Sequence, residues 1–179
     1  MAYLAPHFEY DIFMSYSHGA VPGIENPPLK RWSQAFIDRL KADILSTRND
    51  FDSLDIFDDR DADRTTGLSD QLKNIVEQSG LLLIVMSPRY LGSSWCTDEL
   101  DWFVEQFAHR HKGSGRVFIV RSISTDEERW PEVLKDSRGH SDLGFRFHPA
   151  TNEDGTTPYG WPDLLDKNED FYKDLRPFG

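Results

Sequence analysis

Cysteine is nearly absent. The 179 residues hold one, Cys96, so no internal disulfide framework is possible. No run approaches the ~20 apolar residues of a membrane-spanning helix. Residues 1–10 have neither the basic nor the apolar segment of a secretory signal. Basic residues are in deficit, 20 Lys and Arg against 31 Asp and Glu, for a net charge of −11. That balance argues against non-specific binding to nucleic acid or to anionic membranes. Together these shortages predict a cytoplasmic, reducing setting, with neither nucleic acid nor membrane as a partner.

Common catalytic and binding signatures are missing too. The glycines after the first predicted strand, Gly19 and Gly23, do not make a G-x-G-x-x-G turn, and no G-x-x-x-x-G-K-[ST] loop occurs. A receiver-type phosphorylation domain needs an acceptor aspartate at the end of its third strand, where this chain reads Val85-Met86-Ser87. Asp59, Asp61 and Asp63 open like a calcium loop. Arg64 then stands where that loop needs glycine, Asp70 where it needs glutamate, and a strand leads in where it needs a helix. No His/Cys cluster has zinc spacing, so no metal is expected. Cys96 with His18 lacks a third group to orient the histidine, and Cys96 falls beside an apolar helix stripe where a thiol is inert packing.

What remains is a folded chain of one core, 38% apolar and 28% charged. Asp11-Ile12-Phe13-Met14-Ser15-Tyr16 reads as a strand, and Ser17 to Gly23 breaks it. Residues 29–45 are amphipathic, with Trp32, Phe36, Leu40 and Ile44 recurring every four residues. Leu54-Asp55-Ile56-Phe57 is a second strand and 58–67 a charged loop. Residues 68–78 form a helix that Ser79-Gly80 closes. The wholly apolar run 81–86 suits a parallel strand covered on both faces. A helix over 95–110 and a strand over 116–120 follow. Beyond 125 the pattern weakens: one helical turn at 130–134, an edge strand at Phe145-Arg146-Phe147, loop over 139–162 and a last helix over 161–175. Alternating strands and helices predict an α/β fold, a flavodoxin-like doubly wound parallel sheet of about five strands with helices on both faces. Ligands of such sheets sit beyond the strand C-termini, at the switch point.

One stretch stands out, Ser93-Ser94-Trp95-Cys96-Thr97-Asp98-Glu99-Leu100. At about 100° per residue, Leu100, Phe103, Val104 and Phe107 fall on one stripe, with Cys96 and Ala108 at its edges. Asp98, Asp101 and Glu105 share a second, acidic face. Glu99 belongs to neither. It shares a third face with Trp95, Trp102 and Gln106, its helical neighbours at i−4, i+3 and i+7. From geometry alone Glu99 reads either as a solvated acid near a helix N-terminus, where the dipole favours an anion, or as the reactive carboxylate of a cleft.

These residues resemble the Toll/interleukin-1 receptor (TIR) domains. Tyr10 to Tyr16 is similar to their first motif. Phe57-Asp58-Asp59 through Gly67 to Leu72 resembles their second, the BB loop. Ser87-Pro88 with Tyr90, then Ser94-Trp95-Cys96-Thr97-Asp98-Glu99-Leu100, resembles the signature of plant and bacterial members. The resemblance runs from about residue 8 to 125; Phe171-Tyr172 is a weak stand-in for the third motif. It implies one TIR domain over 1–179, with a less regular part at 126–179, and allows it to be the N-terminal piece of a longer protein.

Many TIR domains are NAD⁺ glycohydrolases, so the resemblance implies that NAD⁺ is a substrate rather than a cofactor and that Glu99 is the catalytic residue. It implies nucleotide contacts from Tyr16, Ser17 and His18 after the first strand. Asp59, Arg60 and Gly67 of the loop join them, with Trp95 and Trp102 beside Glu99. Some relatives carry arginines where this chain has Ser17-His18. It also implies self-association through the loop 58–67 and a role as an immune or anti-phage effector. The alternative is a non-enzymatic adaptor working through TIR–TIR contacts.

Overall fold

In the computed structural model, the described residues are 3–4, 6–19, 23, 27–47, 53–58, 68–108, 113–135, 144–149 and 157–159. Five strands form one sheet: β1 (Tyr10–Tyr16), β2 (Ile56–Phe57), β3 (Ser79–Met86), β4 (Val117–Arg121) and β5 (Phe145–Arg146). Their order is β2-β1-β3-β4-β5 and every pairing is parallel. This is the flavodoxin-like order expected from the alternation of elements, with its switch point between β1 and β3.

Side chains alternate across the strands and sort the core into two layers. Ile12, Met14 and Tyr16 of β1, with Leu83 and Val85 of β3, pack against Trp32, Phe36, Ile37 and Leu40 of α1 (Pro28–Thr47). Phe13, Leu82, Ile84 and Met86 face the other way. They meet Leu72, Ile75 and Val76 of α2 (Leu68–Glu77), and Cys96, Leu100 and Phe103 of α4 (Ser94–Ala108). Helices thus cover both faces, as the unbroken apolar character of β3 requires.

Several boundaries differ from expectation. Ser79-Gly80 begins β3 instead of closing α2. A Cβ on Gly80 would meet Leu4 Cδ1 at 2.5 Å, so the glycine admits the leader chain over the strand. The leader is held by Asp11, whose buried carboxylate accepts from the backbone N–H of Tyr3, Leu4 and Asp55 at 2.8, 2.7 and 2.8 Å. Only Ile56–Phe57 of the expected second strand pairs. Arg116 ends a 3₁₀ turn (Gly113–Arg116) rather than opening β4. The expected turn at 130–134 is two 3₁₀ turns, Glu127–Arg129 and Glu132–Leu134, split at Pro131, which has no N–H to continue a helix. A short helix unforeseen from the sequence, α3 (Pro88–Leu91), follows β3, capped by Ser87 Oγ accepting from Tyr90 N at 3.1 Å. The helix expected over 161–175 lies outside the described residues.

Candidate active site

The site is assembled at the C-terminal ends of β1 and β3. Ser93 starts α4: its Oγ accepts from Cys96 N at 3.3 Å, which fixes where the helix begins and which residues face the sheet. Cys96, Leu100 and Phe103 are buried, while Asp98, Asp101 and Glu105 are exposed. Glu99, Trp102 and Gln106 are half-buried on the third face, as the helical spacing predicted. Gln106 Nε2 donates to the Glu77 carbonyl and ties that face to α2.

Glu99 turns toward β1. Its Oε2 accepts from Ser15 Oγ at 2.5 Å, and Ser15 is buried. Ser15 Oγ also lies 3.3 Å from the Tyr90 hydroxyl, which lies 3.3 Å from the Cys96 carbonyl. A carboxylate, a serine and a tyrosine from α4, β1 and α3 thus form one polar string within an apolar layer. Burial pushes the Tyr90 phenol well above its ordinary range, with the neighbouring Cys96 raising it further. Burial first, and the Glu99 charge second, push the Cys96 thiol up to about 12. A thiol held there is not a nucleophile at neutral pH, which removes the Cys96–His18 pairing as chemistry.

The other expected site residues are distributed around this rim. Tyr16 points to the α1 layer, and its hydroxyl accepts from Gln34 Nε2 at 3.3 Å. It therefore faces the opposite side of the sheet from Ser15. His18 is half-buried, with its ring 5.3 Å from that of Tyr16. Ser17 Oγ accepts from Gly19 N at 3.3 Å. Gly19 has φ +58°, and a Cβ there would lie 3.5 Å from Cδ of Arg89, so the turn leaving β1 runs against α3. Trp95 is 46% exposed, whereas Trp102 packs on the α2/α4 layer. Glu99 is half-buried and bonded to Ser15, with Trp102 half-buried on the same helix face. Asp59, Arg60 and Gly67 lie outside the described residues.

Ser15 and Tyr90 were not among the residues singled out from sequence. The signal for Ser15 was a lone hydroxyl inside an apolar strand, on the side-chain phase that faces α4. Among the described residues, no group of three or more His, Cys, Asp or Glu could hold a metal ion. No described helix is long and apolar enough to cross a membrane.

A family model described as TIR domain matches residues 30–132, which include Tyr90 and Glu99 but stop short of β1. No curated protein matches the chain. Two solved structures are among those similar to this chain, each 16% identical to it. The TIR domain of the Toll-related receptor TRR-2 from Hydra magnipapillata covers 94% of this chain and 97% of its own, with TM-score 0.49. The TIR domains of the activated Roq1 resistosome, which directly recognises the pathogen effector XopQ, cover 95% and 99%, with TM-score 0.52.

Proposed function

The chain belongs to the TIR domain family, and from that premise we propose that it is an NAD⁺ glycohydrolase whose catalytic residue is Glu99. The observation that carries this reading is the position of the Glu99 carboxylate, drawn against β1 at the switch point of the sheet, where ligands of this fold bind. In the reaction, the bond between ribose C1′ and the nicotinamide ring nitrogen breaks. Its electron pair leaves with nicotinamide, which departs neutral and needs no proton. The ribose becomes an oxocarbenium ion, as in glycoside hydrolysis. A carboxylate fixed beside that carbon stabilises the charge as it develops and is already oriented when it does. Water then adds to C1′ and releases its proton, giving ADP-ribose; attack by an internal nucleophile gives a cyclic product instead.

Self-association through TIR–TIR contacts of the loop 58–67 activates the enzyme, and a cytoplasmic immune or anti-phage effector role follows. The Roq1 relative, whose TIR domains belong to an activated resistosome, supports the link between assembly and immunity. A head-to-tail contact of this kind builds open filaments when its rotation does not close.

The test is nicotinamide release from NAD⁺ by concentrated protein and by Glu99→Gln. We expect a fall of about a hundred-fold or more in the variant. Equal release would leave the non-enzymatic adaptor. Specific activity should also climb with protein concentration; strict proportionality from nanomolar upward would oppose activation by assembly.

A further inference from the structure

We propose that Ser15 is a positioning residue, and that its hydroxyl, held in turn by Tyr90, fixes the Glu99 carboxylate in its working orientation. This deepens the NAD⁺-cleaving reading and rests on it for its kinetic consequence. Ser15 lies on the β1 phase shared with Phe13, facing the layer of α2 and α4, and is 1% exposed. Packing there calls only for a small side chain. A buried hydroxyl in such a place must find partners, and this one has Glu99 and Tyr90, with the Cys96 thiol also bonded to it.

The direction of the hydrogen bonds follows from counting protons. An ionised carboxylate only accepts, and serine has one proton to give. The contact with Glu99 at 2.5 Å is the shorter and is charge-assisted, so it takes the Ser15 proton. Toward Tyr90, Ser15 Oγ is then left as an acceptor. The carbonyl of Cys96 can only accept as well. The phenol proton is therefore shared between Ser15 Oγ and Cys96 O, both at 3.3 Å. Because burial keeps Tyr90 protonated, it remains a donor throughout the neutral range. The string runs one way, from Tyr90 to Ser15 to Glu99.

Its anchors matter for geometry. Ser15 pairs with Ile84 of β3, in a strand that β2 also holds at Ile12 and Phe13. Tyr90 ties α3 to the first turn of α4 through the Cys96 carbonyl. A glutamate has three rotatable side-chain bonds, and a fixed donor narrows the rotamers its carboxylate can adopt. With Ser15 in place, one oxygen is pinned to the rigid sheet rather than to a mobile loop. Preorganisation of this kind lowers the barrier for a charge that appears only in the transition state.

The experiment compares wild type, Ser15→Ala and Tyr90→Phe in two readouts. The first is steady-state nicotinamide release. Ser15→Ala should lower kcat about ten-fold with KM changed less than two-fold, and Tyr90→Phe should lower kcat by about three-fold. The second is NMR titration of the Glu99 side-chain carboxyl, which needs no activity. Loss of a donor to the charged form should raise its midpoint in Ser15→Ala by about one unit relative to wild type. Of the titratable groups beside it, Tyr90 and Cys96 stay neutral over that range, and the substitution leaves Asp98 and Asp101 of its own helix in place. Charged groups on the elements packed against α4 are Asp11 of β1, Asp70, Lys73 and Glu77 of α2, Arg89 of α3 and Arg116 before β4, and the substitution touches none of them. An unchanged midpoint, or a kcat that follows only the folded fraction, overturns the proposal. A raised midpoint in a protein that releases no nicotinamide upholds the Ser15 contact and defeats the enzymatic reading instead.

Discussion

At the C-terminal ends of β1 and β3, the carboxylate of Glu99 meets a serine hydroxyl at 2.5 Å. At the end of β4, the carboxylate of Glu127 meets the Arg121 guanidinium at 2.8 Å, and that guanidinium lies 4.8 Å from the centre of the Trp130 ring. Both rims hold an acid, with different consequences. Glu127 faces a full positive charge that is itself stacked on a buried indole, so the charges cancel and the contact serves to pin the chain after β4. Glu99 accepts from the neutral hydroxyl of Ser15, which orients the carboxylate without itself neutralising it. A carboxylate meant to stabilise a passing cation needs the second arrangement. The position of an acid at a sheet rim is therefore less informative than the charge of the group that holds it.

The sharpest division between the rims comes from substitution. Glu99→Gln should abolish most nicotinamide release while leaving the melting temperature within about 2 °C of wild type. Release by that variant comparable to wild type would erase the functional distinction. At the other rim the expectation reverses. Cys96 extends the comparison to a buried thiol at the first rim. With its thiol pushed to about 12, labelling by a thiol reagent at pH 8 should be slower in the native protein than in denaturant by on the order of a thousand-fold. Rapid native labelling would reopen thiol chemistry. Arg121→Ala should cost about 1–2 kcal/mol of stability, read by denaturant unfolding, with activity per folded molecule unchanged. Lost activity in a stable Arg121 variant would make the second rim functional as well.

The smallest effect concerns His148, beside β5. Burial depresses its pKa below the ordinary 6.5, and the charges of Arg146 and Arg121 add to that. The unfolded chain then binds a proton before the folded one does. Its contribution to stability is present above about pH 6.5 and is lost as pH falls from there toward the lower folded value. His148→Gln should remove a small part of the acid destabilisation, seen as a shallower fall in unfolding free energy between pH 7 and pH 5. An identical slope in the variant would show that His148 does not titrate differently on folding.

The sheet and its layers were legible because apolar periodicity is dictated by burial. The stripe of Cys96, Leu100 and Phe103, the acidic face and the separate placement of Glu99 could all be read from 3.6-residue spacing. The holder of Glu99 was harder to see. Ser15 and Tyr16 are chain neighbours at the end of one strand, and of the two only Tyr16 was named as a contact. Strand alternation sends them to opposite faces, Ser15 to α4 and Tyr16 to α1. Tyr90 was obscured because no element was expected between the strand over 81–86 and the helix over 95–110, while Ser87-Pro88 is the capped start of a helical turn. The two tryptophans differ for a related reason: helical spacing gives a shared face, but not what covers it, and Trp95 is 46% exposed while Trp102 is half-buried. Gly80 read as a helix stop because the leader chain that needs its missing side chain is distant in sequence.

A crystal structure of the assembled protein with a non-hydrolysable NAD⁺ analogue tests the central claim most directly. The account predicts the nicotinamide ribose at the β1/β3 rim, with a Glu99 carboxylate oxygen within hydrogen-bond reach of the sugar and Ser15 still bonded to that carboxylate. An analogue bound at the Arg121 rim, or with its ribose beyond the reach of Glu99, would contradict it.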